Sequence, residues 1–371
     1  MQFSRRKSPK SEPKFAKSAD SWLIASALVL TIFGLVMIYD SSVVAAQRDF
    51  GDQYWYVKNQ AIWSVLGALA LILGAKIDYH LWRRWALPIV GLALVLLLAV
   101  LIPSLSYSAY GASRWLDLGV VKFQPSELIK IASIFYLAAI FEKRTRVGPF
   151  MLLIILVTFV TAILQKDLGT TLIFLSIAAT VYFIAGAPLW HFAVMIPFAL
   201  VTIFGLIKLF PHRLLRITTF FNSSSDPQGA SYHINQILIA LGSGGIFGLG
   251  LGQSRQKFGY LPEATTDSIF AIVAEELGFV GASLIIGVLL FLIFRGFIIV
   301  MSAPDRFGRL LGAGIISLIG FQTMINLSSM VALVPLTGVP LPFISYGGSA
   351  LVVNLAAVGI LANISKQKEI S

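Results

Sequence analysis

Few charged side chains interrupt the long apolar runs of this sequence, and their positions suggest where chemistry could occur. Asp267 ends the polar segment Pro262-Glu263-Ala264-Thr265-Thr266-Asp267, directly before an apolar run that begins at Ser268. An aspartate in that place could cap the following helix with its carboxylate. It could also act as a general base at the outer mouth of a site. The sequence leaves both interpretations open.

Glu127 and Lys130 are the second candidates. They are three residues apart, so they share one face of the helix that Gln124-Pro125-Ser126 opens. Charged groups inside a membrane span are costly and usually pair in the protein interior. The pair therefore either holds helices together or lines a polar cavity.

Lys166 and Asp167 lie between two apolar runs, where they form either an exposed turn or part of a site. Glu275 and Glu276 are adjacent on a helix and point in different directions, so at least one of them should face the interior. Both pairs remain candidates for binding a polar substrate.

Arg114 stands beside Trp115 in an outward segment between two apolar runs. Its guanidinium could grip a phosphate through paired hydrogen bonds. The indole is equally typical of an anchor at the level of the lipid headgroups.

Other chemistries have weak support. The chain contains no cysteine, which excludes disulfides and thiolate metal sites, and its four histidines show no ligand spacing. No Walker A sequence or serine-nucleophile elbow occurs. The glycine-rich stretch 242–252 does not fit the dinucleotide-binding spacing and follows no strand.

Composition identifies the elements that must hold these residues. The 371 residues are 57% hydrophobic and 12% charged, with a mean hydropathy of +0.85, whereas a soluble domain carries about 25% charged residues. We therefore expect an all-α polytopic membrane protein. Its net charge of +11 fits anionic lipid headgroups at the inner membrane surface rather than nucleic acid.

Ten apolar runs approach the ~20 residues that cross a bilayer. They are Trp22–Ile38, Val57–Leu73, Ala86–Ile102, Pro125–Phe141, Phe150–Leu164, Leu168–Ala185, Leu189–Phe210, Ser268–Phe294, Leu310–Val334 and Ser349–Ile364. Lys and Arg are concentrated in the N-terminal tail and in alternate loops, which predicts that both termini are cytoplasmic.

The connecting segments have distinct characters. Residues 1–20 form a basic tail that we expect to be disordered, and residues 21–366 form the transmembrane domain. Its one large extracytoplasmic loop, about 211–267, contains a turn at Asp226–Gly229 and a short helix at Ile234–Leu241. Residues 337–351 are too rich in Pro and Gly for a regular helix and too apolar for an exposed loop, which is typical of backbone that shapes a site at a membrane.

Five motifs in order resemble a known family. They are Gly111-Ala112-Ser113-Arg114-Trp115, Phe123-Gln124-Pro125-Ser126-Glu127-Leu128-x-Lys130, Lys166-Asp167-Leu168-Gly169-Thr170, Ala274-Glu275-Glu276-Leu277-Gly278 and Pro340-Leu341-Pro342-Phe343-Ile344-Ser345-Tyr346-Gly347-Gly348-Ser349. The series resembles the SEDS proteins (shape, elongation, division, sporulation) from about residue 20 to 366. Asp40–Ala46 and Gly51–Gln60 are more similar to the division-type branch (FtsW) than to the elongation-type branch (RodA).

The resemblance implies a peptidoglycan glycosyltransferase. Such proteins polymerise lipid II, a disaccharide pentapeptide on undecaprenyl pyrophosphate, into β-1,4 glycan at the outer face of the bacterial cytoplasmic membrane. It implies that Asp267 is the essential acid and that Glu127 and Lys130 are a buried pair in the central cavity. The predicted substrate-binding set is Arg114, Lys130, Glu127, Lys166, Asp167, Thr266, Glu275, Ser345, Tyr346 and Ser349.

The resemblance also implies partners and an ion. A class B penicillin-binding protein would cross-link the product, and other division proteins would assemble with the chain, with septal wall synthesis as its expected role. A divalent cation, Mg²⁺ or Mn²⁺, could bridge the pyrophosphate, although the sequence identifies no ligand set for it. No organic cofactor is expected.

Two functions from other classes remain alternatives. A flippase for the lipid-linked precursor would need polar lining through the full membrane depth, and Glu127 with Lys130 is the obvious charged pair for it. A structural scaffold of the division complex would need no catalytic residue.

Overall fold

The computed structural model describes residues 18–109, 112–117, 119, 122–209 and 231–367. Within these residues the α-helices are α1 (Ser21–Phe50), α2 (Trp55–Lys76), α3 (His80–Ala99), α4 (Pro125–Phe141), α5 (Val147–Thr158), α6 (Leu168–Ile184), α7 (Leu189–Leu209), α8 (Tyr232–Ser243), α9 (Ile269–Met301), α10 (Arg306–Met330) and α11 (Gly348–Lys366). A π-helical stretch, Phe159–Leu164, continues α5, and a short 3₁₀ helix spans Gln256–Phe258.

The prediction of a polytopic helical membrane protein is confirmed. Each of the ten predicted spans falls on a helix. By length and apolarity, seven helices among the described residues are able to cross a membrane: α1, α2, α3, α5 with its π-helical continuation, α9, α10 and α11. Large apolar side chains such as Leu87 and Leu284 are exposed on their outer faces, as expected where a helix faces lipid.

The segment between α3 and α4 departs from the all-α expectation. It forms a small antiparallel sheet of β1 (Ser106–Ala109), β2 (Ala112–Asp117) and β3 (Lys122–Phe123), in that order. The strands are two to six residues long, which is too short for a periodic pattern to announce them. The sheet matters because β2 holds Arg114.

Polar residues at the predicted boundaries start several helices. Asp20 caps α1 by accepting a hydrogen bond from the Leu23 amide, and Asp167 caps α6 by accepting one from the Thr170 amide. Pro125 occupies the first turn of α4, where its missing N–H costs nothing. The predicted tail, residues 1–20, overlaps the described residues only at 18–20, where Asp20 already belongs to the fold.

Helix ends that the prediction of cytoplasmic termini places on the same face of the membrane contact each other in the structure. At the start of α1, Asp20 forms an ion pair with Arg295 near the end of α9, and its amide donates to Ser365 Oγ near the end of α11 at 2.9 Å. At the opposite face, the Gln124 amide before α4 donates to Ser349 Oγ at the start of α11 at 3.2 Å. The candidate residues lie at this second face, the outer one.

The large outer loop is only partly described. The predicted turn at Asp226–Gly229 lies outside the described residues, whereas the predicted short helix is confirmed as α8. After α8, the glycine-rich segment packs against a break in α9 at Gly278, whose φ of 67° and ψ of −168° are not helical.

The break in α9 is closed by backbone hydrogen bonds from the glycine-rich segment. The amides of Leu249 and Gly250 donate to the carbonyls of Glu275 and Glu276, each at 3.0 Å, and the Phe279 amide donates to the Gly245 carbonyl at 2.9 Å. Groups that the helix leaves unpaired are thereby satisfied, as a buried backbone requires. The glycine-rich stretch is therefore closely packed backbone.

Substituting Gly278 tests this arrangement. Gly278→Ala should destabilise the protein by more than about 1 kcal/mol, because alanine is strained at positive φ and a Cβ there would lie 2.2 Å from the Gly248 nitrogen. The measurement is the apparent melting temperature of the purified protein in detergent. Gly287→Ala on the same helix is the matched control, since its Cβ would meet nothing within 4 Å. Equal melting temperatures for the two variants would contradict the assignment.

Candidate functional site

The outer face of the bundle is organised by residues 337–347, which we call the 337–347 loop. Within it, the Leu341 amide donates to Ser345 Oγ at 2.8 Å, and the Ser345 amide donates to the Leu341 carbonyl at 3.1 Å. Gln60 from α2 completes the loop, accepting from the Gly347 amide at 3.2 Å and donating to the Ser345 carbonyl at 3.5 Å. The hydroxyl of Ser345, a predicted substrate ligand, is thus engaged within the loop.

Asp267 lies beside this loop. Its side chain is half-buried, and its Oδ1 accepts a hydrogen bond from Thr266 Oγ1 at 2.9 Å. The Tyr346 amide donates to the Thr265 carbonyl at 2.9 Å, which ties the segment before Asp267 to the loop. A Cβ on Gly338, whose φ is +70°, would come within 3.8 Å of Asp267 Oδ2. The carboxylate therefore rests against the loop at the outer face of the bundle.

In the structure, Asp267 is not the cap of the following helix, in contrast to the alternative interpretation from the sequence. Helix α9 begins at Ile269, and its N-cap is Ser268, whose side chain makes no cap hydrogen bond. Instead, His233 Nε2 of α8 lies 2.8 Å from Ser268 Oγ. The Asp267 carboxylate thus stands one residue ahead of the position that a capping aspartate occupies.

Two neighbours of Asp267 were not singled out in the sequence. Glu263, at φ 51°, places Oε2 2.7 Å from Thr266 Oγ1, so two carboxylates share the single proton of one hydroxyl. Asn326 of α10 donates to the Asp267 carbonyl at 2.8 Å. The four-residue spacing of Glu263 and Asp267 in the sequence indicates that the two carboxylates can lie close together. An asparagine within an apolar span, by contrast, gives no indication of its partner.

Glu127 and Lys130 pair in the first turns of α4. Lys130 Nζ lies 2.9 Å from Glu127 Oε1, and the side chains are only 1% and 3% exposed, respectively. Glu127 Oε2 is also buried and has no hydrogen-bond partner among the described residues. A buried ion pair with one unsatisfied carboxylate oxygen is costly. It retains one acceptor that could take a polar ligand.

Arg114, Lys166 and Asp167 meet at the end of the small sheet. Arg114 Nη2 donates to the Lys166 carbonyl at 2.8 Å, and Arg114 Nε lies 3.9 Å from Asp167 Oδ2. Asp167 is buried by its cap on α6, while Lys166, at φ 54°, is exposed. The interpretation of this pair as an exposed turn therefore holds for Lys166 and is wrong for Asp167.

The start of α6 also packs on the 337–347 loop. A Cβ on Gly169 would lie 2.7 Å from the Thr337 carbonyl and 2.8 Å from the Val339 side chain. The loop thus contacts the α6 terminus on one side and the Asp267 segment on another. Among the predicted residues, Thr266 and Asp267 lie on one side of the loop, and Arg114, Lys166 and Asp167 lie together at the start of α6 on another.

Tyr346 and Ser349 stand at the far end of the loop. The Tyr346 ring packs edge-on against Tyr56, with ring centroids 5.0 Å apart. Burial raises the pKa of Tyr346 to about 12, so its hydroxyl stays protonated at neutral pH and is no base. Ser349 Oγ is engaged by the Gln124 amide.

Glu275 lies away from this loop in the structure. Its carboxylate accepts from the amides of Arg255 and Gln256, at 3.2 and 3.4 Å, and from Ser254 Oγ. Lys257 bridges the neighbouring Glu276 and Asp40 of α1, at 3.2 and 2.8 Å. These carboxylates anchor the outer segment 252–257 to the bundle.

Lys257 remains protonated within that anchor. Burial lowers its pKa, but the hydrogen bonds and charges of Asp40 and Glu276 more than offset this effect and hold the pKa above its ordinary value. The anchor therefore keeps its cation at neutral pH.

The donor set for a metal ion is limited. Across the described ranges, no group of three or more His, Cys, Asp or Glu side chains is arranged to hold a metal ion. Glu263 and Asp267, which share Thr266, form a pair of carboxylates at the mouth. That pair alone does not make a closed metal centre.

The sequence of this chain matches one family of known proteins. The sequence model of the family described as "Cell cycle protein" (FtsW, RodA, SpoVE) matches residues 20–370. Stage V sporulation protein E of Bacillus subtilis (strain 168) is 40% identical over 356 residues, covering 94% of this chain and 97% of its own length. A probable peptidoglycan glycosyltransferase FtsW of Geobacter sp. (strain M18) is 39% identical, covering 93% of this chain and 96% of its own length.

Solved structures agree. A chain from a peptidoglycan synthase complex that coordinates polymerization and crosslinking superposes with a TM-score of 0.77 at 27% identity, covering 94% of this chain and 97% of that chain. The rod shape determining protein RodA of Thermus thermophilus superposes with a TM-score of 0.69 at 27% identity, covering 95% and 98%. This chain, with its matching motifs, helices and outer loop, therefore belongs to the FtsW, RodA and SpoVE family of cell cycle proteins, the SEDS family.

Proposed function

We propose that this chain is a peptidoglycan glycosyltransferase that polymerises lipid II at the outer face of the bacterial cytoplasmic membrane, with Asp267 as its general base. The observation that supports this most is the placement of Asp267. Its carboxylate is half-buried at the outer face of a membrane bundle and lies 2.9 Å from the Thr266 hydroxyl, which it shares with Glu263. Relatives named as probable peptidoglycan glycosyltransferases are 39–40% identical to the chain over more than nine-tenths of its length.

The reaction needs one base. Asp267 takes the proton of the acceptor 4-hydroxyl as that oxygen bonds to the anomeric carbon of the donor. The bond from that carbon to the pyrophosphate oxygen breaks, and undecaprenyl pyrophosphate leaves with the electron pair. Because pyrophosphate leaves without protonation, no second carboxyl has to act as an acid, in contrast to a glycosidase.

The leaving group needs positive charge near the mouth. Arg114 is the first candidate, because the Lys166 carbonyl and Asp167 hold its guanidinium while other N–H groups remain for a phosphate. Lys130 is balanced by Glu127 and would bind only after that pair rearranges. Lys166 is exposed and lies beside Arg114.

A divalent cation fits this chemistry as a group that arrives with the substrate. Mg²⁺ is typically bound by one or two carboxylates together with substrate phosphates. Glu263 is the residue that would hold Mg²⁺ or Mn²⁺ here, since Asp267 serves as the base. The ion would supply charge to the departing pyrophosphate.

The partner would be a class B penicillin-binding transpeptidase, with other division proteins around it. Support comes from the peptidoglycan synthase complex, in which polymerization and crosslinking are coordinated. A role in septal wall synthesis is supported by the relatives named FtsW and by the sporulation protein, whereas RodA of Thermus thermophilus is 27% identical. The elongation-type role is the alternative within the family.

A flippase for the lipid-linked precursor fits the structure less well. Such a protein would need polar groups along the full depth of its path. Toward the inner side of Lys130, helix α4 buries Ile131, Ile134 and Leu137, with Ser133 as the one polar side chain among them. The polar pair is therefore confined to the outer half of the helix.

Replacing the proposed base tests the function. Asp267→Asn should lower the rate of glycan synthesis by about 10²–10⁴-fold, because the amide cannot take a proton. The assay is polymerisation of labelled lipid II by purified protein, with and without a class B penicillin-binding partner, with chain length read on a gel. Asp52→Asn, an exposed outer aspartate paired with Lys58, is the matched control. Equal polymer from wild type and Asp267→Asn would overturn the assignment.

The same assay separates the alternatives. A flippase should tolerate Asp267→Asn far better than Glu127→Ala. No polymer from the wild type under any partnered condition, together with lipid II translocation in vesicles, would favour the flippase. Complementation by catalytically dead variants would favour the scaffold.

Thr266 supplies an independent test. Thr266→Val preserves the shape of the side chain but removes the hydroxyl that orients Asp267, so the rate should fall by about 10-fold, the value of a hydrogen bond to a charged group. Thr266→Ser keeps the hydroxyl and should retain most of the activity. The measurement is the initial rate of polymerisation at saturating lipid II, and equal losses in both variants would contradict the orienting role.

A further inference from the structure

Asn326 is buried within the membrane helix α10 and has no exposed surface. Its side-chain nitrogen donates to two main-chain carbonyls, those of Asp267 and Val339, each at 2.8 Å. A primary amide has two N–H donors. Both donors are therefore used, and each holds a different segment of the site.

The two segments lie side by side at the outer face of the bundle. The Asp267 carbonyl belongs to the residue proposed as the base, and Val339 belongs to the 337–347 loop. The amide of Asn326 therefore joins these segments to one point on a transmembrane helix. The hydrogen bond from the Tyr346 amide to the Thr265 carbonyl makes a second connection between them.

Two further contacts extend from the backbone to the carboxylate. Thr266 Oγ1 lies 2.9 Å from Asp267 Oδ1 and shares its proton between that oxygen and Glu263 Oε2, and Gly338, at positive φ, lies beside Asp267 Oδ2. The main chain of Asp267 is thus held at its carbonyl, and one carboxylate oxygen lies against Thr266. The hydrogen bond from Asn326 reaches the main chain of Asp267, and the Asn326 side chain is fully buried.

We infer that Asn326 is a positioning residue for glycosyl transfer, which fixes the Asp267 carboxylate against the 337–347 loop without touching the substrate. This inference rests on the proposed function, because it assumes that Asp267 is the base. A shift of about 1 Å in a reacting group costs on the order of 10²-fold in rate. Losing the Asn326 donors should therefore lower kcat and leave the KM for lipid II nearly unchanged.

The first experiment is steady-state polymerisation of labelled lipid II by the full-length protein with its penicillin-binding partner. Asn326→Leu keeps the approximate size of the side chain and removes both donors, so kcat should fall by about 10- to 100-fold, with KM within about 2-fold. Asn326→Asp, which retains at most one donor, is the second variant if the leucine variant folds poorly. Rates are referred to the folded monodisperse fraction from size-exclusion chromatography.

Ser317→Ala is the matched control on the same helix. Ser317 is buried and donates to the Ala313 carbonyl at 2.8 Å, a bond within α10 that does not reach the mouth. This variant should keep the wild-type kcat. An equal loss of kcat in Ser317→Ala would show that any damage to α10 lowers the rate, and it would overturn the inference.

A double-mutant cycle separates positioning from general stability. If Asn326 acts through the Asp267 carboxylate, Asn326→Leu should lower the rate of an Asp267→Asn protein by less than about 2-fold, because nothing remains to be positioned. Where Asp267→Asn gives no measurable rate, Asp267→Glu replaces it, and the effect of Asn326→Leu should again be smaller than in the wild type. Independent, multiplicative losses would overturn the positioning role.

The outcomes also separate this inference from the proposed function. Full activity of Asp267→Asn would show that Asp267 is not the base, and the positioning role of Asn326 would then be wrong as well. An inactive Asp267→Asn variant together with a wild-type kcat for Asn326→Leu would contradict only the positioning role. The assignment of Asp267 as the base would stand.

Discussion

The rest of the structure depends on one constraint: backbone N–H and C=O groups at membrane depth must find partners within the protein. Two stretches of irregular backbone lie at the outer face, the break in α9 at Gly278 and the 337–347 loop. The glycine-rich segment closes the first with main-chain hydrogen bonds. Side-chain amides from neighbouring helices, Gln60 and Asn326, close the second. Because the helices supply these partners, the loop is held as rigidly as they are, and a site can be built on it.

The same constraint distinguishes the acidic residues at the outer face. Asp167 is occupied as a helix cap, and Glu275 and Glu276 are occupied by amides of the outer segment and by Lys257. Glu127 is locked to Lys130 in the interior. The carboxylate of Asp267 is half-buried at the outer face, less buried than these four acids, and contacts a hydroxyl beside a second acid, Glu263. A proton acceptor must be reachable by its substrate, and this environment meets that requirement.

Much of the fold could be predicted from sequence because long apolar runs and helix-starting residues such as Asp20, Pro125 and Asp167 are local signals. The small sheet with Arg114 could not, since its strands are too short to show a period. Gly278 is one glycine among many, and only the packing of another segment shows that α9 breaks there. The pairing of Glu127 with Lys130 follows from their spacing. The bonds from Asn326 to Asp267 and Val339 join residues far apart in the chain, and such contacts are visible only after folding.

A base for membrane-bound substrates has to satisfy two demands that oppose each other. It must stand at the outer surface, where a hydroxyl of a polar sugar can reach it, and surface segments are normally the most mobile parts of a protein. It must also hold its place closely, because proton transfer depends on geometry. Here the segment that ends at Asp267 is irregular and outward-facing, but the Asp267 carbonyl accepts a hydrogen bond from Asn326 on a helix that crosses the membrane. The helix contributes rigidity and the loop contributes access, so neither element alone would suffice.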